Sequence, residues 1–489
     1  MPHASAQLEK SPPAFLAPDL VLEIKIGDIG NFLPDAERRV LTMNPNRYIE
    51  RAEMAREFEM LILRKMLVRE NQYREFGKRI LDRAIIGALD LLRQQPSSSA
   101  RDEEELALLI ELGPTVIHSR GWAVPELDPL YRRALDLARQ LDRPDMVLPS
   151  LVGRWQWFHL QGHYQAALEV ADETFRLAAT TTDDSALVQA HHLAFPSNLW
   201  LGEVAACRRH VASLLALYDE ERHAQHRSIY MGHDPATCAH ALEGIAAWLL
   251  GEIEQGYRAA DLACTHSRRI AHVPSLAHAL WFKAMLGVMA LDSEMALRAA
   301  DEVLELAREI KLAPPEASAQ TFRGWVLVQR GEVEEGLRWL ETGLSAWRTQ
   351  RNLLVMPHRL SLYAEGLLAA DRSSDALVAI TEALQLVEVN HEAVLEPVVR
   401  LTFANVLLAG DREERVRAEA QLGVALAQAL ARRFPPLALR IASRLAQAIA
   451  ERGEREQAHE LLASIVAKFR GGTATRDLTE AQVLLCTLH

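Results

Sequence analysis

The chain has 489 residues, 49% of them hydrophobic, and a formal net charge of −12. That balance argues against a nucleic-acid binder, because phosphate contact needs a concentrated basic face. The apolar content is ample for a large core, but no apolar run reaches the ~18 residues that span a bilayer.

Residues 1 to about 34 are rich in Pro, Ala and Ser and carry little periodicity, and an irregular N-terminal arm is expected over 1–45. A basic stretch followed by an apolar one is missing from the start, so no secretory signal is expected. Within the arm, residues 20–32 alternate weakly and are compatible with a strand or a cap. From residue 46 the pattern turns helical. Ile49, Met54, Phe58, Leu61, Ile62 and Met66 form an apolar stripe at i, i+3, i+4 spacing. A second helix is expected over 69–94, and the linker 94–102 breaks it. The reading is therefore an arm (1–45), an N-terminal helical segment (46–100) and a repeat region (101–489).

In the repeat region, short turns recur at Gly121, Gly162, Gly202, Gly251, Asp292, Gly331, Asp371, Gly410 and Gly453. Their spacings are 41, 40, 49, 41, 39, 40, 39 and 43 residues. Such constancy is the signature of helical hairpin repeats, and at least eight hairpins are expected. Glycine suits a tight turn because it reaches positive φ without a Cβ penalty. Small residues recur five places after the turn, at Ala167, Cys207, Gly256, Gly336, Ala376 and Ala458. They recur seven places before it, at Gly244, Gly324 and Ala364. Small side chains there let two helices approach closely, which is the packing logic of the tetratricopeptide unit. Leu297 and Arg415 break the first rule, and Trp155 and Phe195 the second. The expected fold is all-α: a right-handed superhelical solenoid of TPR-like helical hairpins behind a short irregular arm.

Three segments carry a resemblance: ELALLIELGPTVIHSRGWAVPELDPLYRRALDLARQL, the stretch from LLALYDEERH through YMGHDPATCAHALEGIAAWLLG, and TFRGWVLVQRGEVEEGLRWLETGLSAWR. They resemble the tetratricopeptide-like C-terminal region of large bacterial signalling ATPases, including those fused to cyclase or DNA-binding modules. The resemblance covers about residues 84–489. It implies a sensor and protein-binding arm rather than a catalytic part. The phosphate loop GxxxxGK[ST] does not occur; Gly77-Lys78 lacks the first glycine and sits in a predicted helix. The chain is thus read as the arm standing without its ATPase domain, non-enzymatic and without a cofactor.

The widest spacing, 49 residues, holds a histidine-rich loop at 219–240. His223, His226, His233 and Asp234 include metal-ligand types. The plainer reading is a joint, with Asp234 capping the next helix and Pro235 in its first turn. His191 and His192 are adjacent and point about 100° apart on a helix, so they do not share a metal. Neither HExxH nor GxSxG occurs, so no metal or catalytic residue is assigned. The four cysteines form no CxxC pair, which suits a reducing cytoplasm. The acidic pairs are read as solvated helix starts, and the nine tryptophans as core.

In a tetratricopeptide hairpin the first helix lines the inner face. Positions ten, six and two before each turn are then expected to face a concave groove. The partner-binding candidates are Gln156, His192, Thr321, Trp325, Gln329, Ser361, Glu365 and Arg400. Trp325 and Arg400 are the sharpest, as Trp and Arg are enriched at binding hot spots. The expected function is a cytoplasmic, non-catalytic scaffold or accessory subunit. It would hold a larger enzyme or regulator through the groove and the arm, with self-association open. The alternative is a ligand- or metal-sensing regulator, or a metal-dependent enzyme, using the 219–240 loop.

Overall fold

Among the residues that the computed structural model describes (85–120, 123–310, 313–469 and 475–488), every regular element is a helix. The arm and the apolar stripe after residue 46 lie outside them. The chain divides into two units, Met1–Ser150 and Leu151–His489. The first holds a helical stretch at 85–93, then α1 (Ser99–Arg120), α2 (Leu127–Gln140) and the start of α3 (Pro144–Leu160). Leu106, Leu109, Leu127, Tyr131 and Leu135 are buried there. Buried Glu105 accepts two bonds from Arg133, at 3.0 and 2.7 Å. Those charge-assisted bonds hold its carboxyl below the usual range.

The second unit is built from hairpins. After α3 come α4 (Tyr164–Ala178), α5 (Ser185–Trp200) and α6 (Val204–Leu217). A single short turn, α7 (His226–Ile229), leads to α8 (Pro235–Leu249), α9 (Ile253–Arg269), α10 (Val273–Met289) and α11 (Ser293–Ile310). Then follow α12 (Ala313–Gln329), α13 (Val333–Thr349), α14 (Met356–Ala369) and α15 (Ser373–Asn390). The last are α16 (Glu396–Leu408), α17 (Arg412–Ala431), α18 (Pro435–Glu451), α19 (Arg455–Val466) and α20 (Arg476–Leu488). From α5 onward, each first helix packs on the second helix of its own hairpin and on the first helix of the next, as α8 does on α9 and α10. This is a solenoid of tetratricopeptide-like repeats.

Burial separates the two helices of a repeat. In α8, 13 of 15 residues are buried. That explains a sequence apolar on nearly every face (PATCAHALEGIAAWL). In α9 only Ile253, Gly256, Ala259, Ala260, Ala263, Cys264 and Ser267 are buried, one stripe at i, i+3, i+4 spacing. First helices are therefore interior and second helices are the outer layer.

The turn glycines do what their positions require. Gly162, Gly202, Gly251, Gly331 and Gly453 have φ between 74° and 100°. Asp371 takes the same left-handed conformation, and at the next irregular turn Leu291 takes it instead of Asp292. Gly410 does not; α17 starts there with a capping box between Asp411 and Glu414. The small-residue offsets meet each other in space. A Cβ on Gly336 would lie 2.7 Å from the Gly324 carbonyl oxygen, and one on Gly256 2.8 Å from that of Gly244. Where Leu297 breaks the rule, Gly287 closes on Ala296 instead, nearer the turn.

Distant repeats of the second unit also touch. Leu353 donates its N–H to the Leu160 carbonyl at 2.7 Å, and Val394 to that of Trp200 at 3.3 Å. Gln161 donates to the Arg351 carbonyl at 3.1 Å. Arg440 bonds the Met289 carbonyl and clamps Asp477 of α20 through two nitrogens. The hairpin turns of early repeats thus join the inter-repeat loops of later ones. These bonds draw the first helices around a filled interior. No helix among the described residues is long and apolar enough to cross a membrane.

Candidate functional site

Five of the eight groove candidates are buried. His192, Thr321, Trp325 and Ser361 are at most 2% exposed and Gln156 is 9% exposed. Trp325 donates its indole N–H to Glu365 at 2.9 Å, and Thr402 donates to the other Glu365 oxygen at 2.9 Å. Burial raises the Glu365 pKa, and these two bonds pull it back. Thr321 and Ser361 donate to carbonyls of their own helices. Arg400, half-buried, is held by Glu396 and Gln421. Gln329 alone of the eight is exposed. The physical reason is the interior position of the first helices. Side chains at one phase of successive first helices face each other, and Trp325, Glu365 and Thr402 are joined across three of them in this way. These bonds, and those of Thr321 and Ser361 within their own helices, avoid the cost of about 1–3 kcal/mol of an unpaired buried polar group, whereas His192 has no hydrogen-bond partner among the described residues.

The histidine-rich loop is a joint, as its cap signal implied. Asp234 accepts from Thr237 N at 2.9 Å at the start of α8, with Pro235 at the first position. Tyr218 donates to its other oxygen, His266 lies 2.9 Å away, and its own N–H reaches Ser275. With these partners its carboxyl stays at about 2 despite burial. His223 is engaged by Asp184 and Asp219, and His226 by Gln189. Neither meets His233, so the four loop residues do not converge. His233 instead faces His192 and Cys238, from neighbouring helices. His191 turns away from His192 and pairs with His210 at 2.9 Å.

Sequence reasoning missed a second cluster, around Arg359 of α14. Arg359 is 1% exposed, inside the repeat stack. Its guanidinium carbon lies 4.0 Å from the Trp347 ring centre, 5.8 Å from Trp281 and 6.0 Å from Phe322. Nη2 donates to Ser318 at 3.0 Å, while Nε and Nη1 have no hydrogen-bond partner among the described residues. The indole nitrogens of Trp200, Trp281 and Trp347 are likewise open. Burial lowers the Arg359 pKa to about 9.

Tyr164 and Glu392 complete the cluster. Tyr164 donates to Glu392 Oε2 at 3.0 Å and accepts from the Val355 N–H at 3.3 Å. Glu392 is fully buried, its Oε1 is open, and burial pushes its pKa up to about 8. Val355 sits at φ 54°, a left-handed conformation unusual for a β-branched residue. Strain of this kind persists where surrounding contacts over-determine it, often at ligand sites. The sequence signal was Arg359 itself, a cation on a first helix, Met356–Ala369, that also carries His358 and Glu365.

No family model matches the chain. An uncharacterized protein of Rhizobium meliloti is 25% identical over 344 residues, 70% of this chain. The chain spans about a third of that relative's length, 33%. Among solved structures, a Rap protein complexed with competence and sporulation factor is similar at TM-score 0.46 and 9% identity, over 70% of this chain and 97% of that one. A signal-transduction ATPase with a tetratricopeptide repeat sensor from Pyrococcus horikoshii gives TM-score 0.42 and 15% identity, over 79% and 55%. The apo quorum sensor NprR of B. thuringiensis gives 0.43 and 10%, over 75% and 99%. The repeat assignment rests on the hairpins themselves.

Proposed function

We propose that this chain is a non-catalytic regulatory protein. Its solenoid binds a protein partner, and an anionic ligand taken up around Arg359 sets the strength of that binding. The observation that carries this reading is the open guanidinium. A buried cation with two unpartnered nitrogens is costly, because desolvation is not repaid by hydrogen bonds. A carboxylate or phosphate would supply the missing acceptors, and Arg is the side chain suited to both. Glu392 Oε1, which carries the proton of the neutral acid, offers a second donor to the same anion. A ligand here would sit beside the bonds that join early and late repeats, so its arrival would alter their spacing. Gln329, Arg400 and the arm at 1–45 remain the proposed contacts for a larger enzyme or regulator in the cytoplasm.

The test is a thermal-shift panel of small carboxylates, phosphate monoesters, and peptides with free or amidated C-termini. The expected result is stabilisation by one anionic class, absent in Arg359→Gln. Equal shifts in both proteins, or none in either, would overturn the reading.

A further inference from the structure

We infer that His192, His233 and Cys238 form a binding site for a zinc-class cation, apart from the Arg359 cluster. Nitrogen of each imidazole and the Cys238 sulfur lie within 4.8 Å of one another. Points that far apart are about 2.8 Å from a common centre, against about 2.0–2.3 Å for zinc–nitrogen and zinc–sulfur bonds. Side-chain rotations of under about 1 Å therefore close the site. One thiolate with imidazoles is a donor set that zinc favours over magnesium or calcium.

The ring nitrogens are placed for this task. His192 is 1% exposed and neither of its nitrogens has a hydrogen-bond partner among the described residues. His233 Nδ1 lies 3.1 Å from the Met231 carbonyl, which fixes the proton on Nδ1 and leaves a lone pair on Nε2. That Nε2 is buried and open. A backbone carbonyl on the far nitrogen is the usual outer partner of a metal-binding histidine. The turn that presents His233 is itself unusual: Met231 and Gly232 have φ 39° and 71°. Asp234, tied down by four partners, anchors the next residue.

His278 supports the site rather than joining it. Its Nε2 lies 3.3 Å from the Cys238 sulfur, and its ring stacks on His233 at 3.9 Å and 10°. Stacked rings do not aim two nitrogens at one cation. On metal uptake the Cys238 thiol loses its proton to solvent and the sulfur becomes the anionic ligand, so binding weakens at low pH.

The test uses chelator-treated full-length protein titrated with Co(II), read by absorption. One cobalt per chain with a thiolate-to-metal charge-transfer band is expected, retained in Cys207→Ser and lost in Cys238→Ser. His192→Gln and His233→Gln should each weaken binding by at least about tenfold with unchanged far-UV circular dichroism. X-ray absorption of the wild-type zinc form, which needs no variant, should give one sulfur neighbour. A shell of nitrogen and oxygen alone, or a charge-transfer band that survives in Cys238→Ser, would overturn the site.

Discussion

Acidification from pH 7.5 to 5.0 is expected to destabilise the second unit by at least about 3 kcal/mol. His159 and His358 are buried, and desolvation pushes their pKa values down to about 3; His226 goes to about 4. Their ordinary value is 6.5, so between the two values the unfolded chain binds more protons than the folded one. Their stability contribution is full above 6.5 and is lost as pH falls toward 3 or 4. Each loses about 2 kcal/mol over this interval, about 6 in total. Glu392 acts in the opposite sense. Its pKa rises from 4.5 to about 8, so its folded state holds the extra proton and acidification returns about 3 kcal/mol. The remainder, about 3 kcal/mol, is a floor, since burial also lowers the His191 and His233 pKa values to about 4, and it is already a large share of the 5–15 kcal/mol typical of a domain. Urea unfolding followed by circular dichroism, in chelator and at constant ionic strength, measures it. His358→Gln should remove about 2 kcal/mol of the acid sensitivity. Stability that is flat or rising from pH 7.5 to 5.0 would refute neutral burial of these rings.

Gly336→Ala should cost about 1–3 kcal/mol, because the new Cβ meets the Gly324 carbonyl and Val328; the urea midpoint reads it. Asp234→Ala should cost about 3 kcal/mol, about one for the cap and the rest for the stranded Tyr218 and His266 partners. Calorimetry would show that loss, and Asp234→Asn should recover part of it. Trp325→Ala should cost about 3–5 kcal/mol because the ring is buried and its N–H bond to Glu365 is lost. An unchanged melt for Trp325→Ala would place that side chain in an open groove after all.

The repeat was legible because its causes are local. A turn at positive φ selects glycine, and a close helix crossing selects small residues, so both recur at the repeat period. Gly324 with Gly336, and Gly244 with Gly256, were readable as pairs for that reason. Asp234-Pro235 was readable because a cap needs only neighbours in sequence. The interior was not readable in the same way. Whether the polar phase of the first helices faces solvent depends on bonds between distant loops, such as Leu353 to Leu160. Trp325 and Glu365 were seen as two groove residues, although both stand six places before their turns. That equivalence is what makes them partners. Cys238 and His278 likewise stand thirteen places before Gly251 and Leu291, so a repeat-aligned reading would have paired them. Tyr164 and Glu392, 228 positions apart, left no such trace.

Native mass spectrometry of the chain isolated from its host tests the central claim most directly, that the interior around Arg359 is a ligand site. The wild type should carry a bound anionic molecule at one per chain, released on unfolding, and Arg359→Gln should be isolated without it. A wild-type mass with no ligand, or the same ligand retained in Arg359→Gln, would contradict the account.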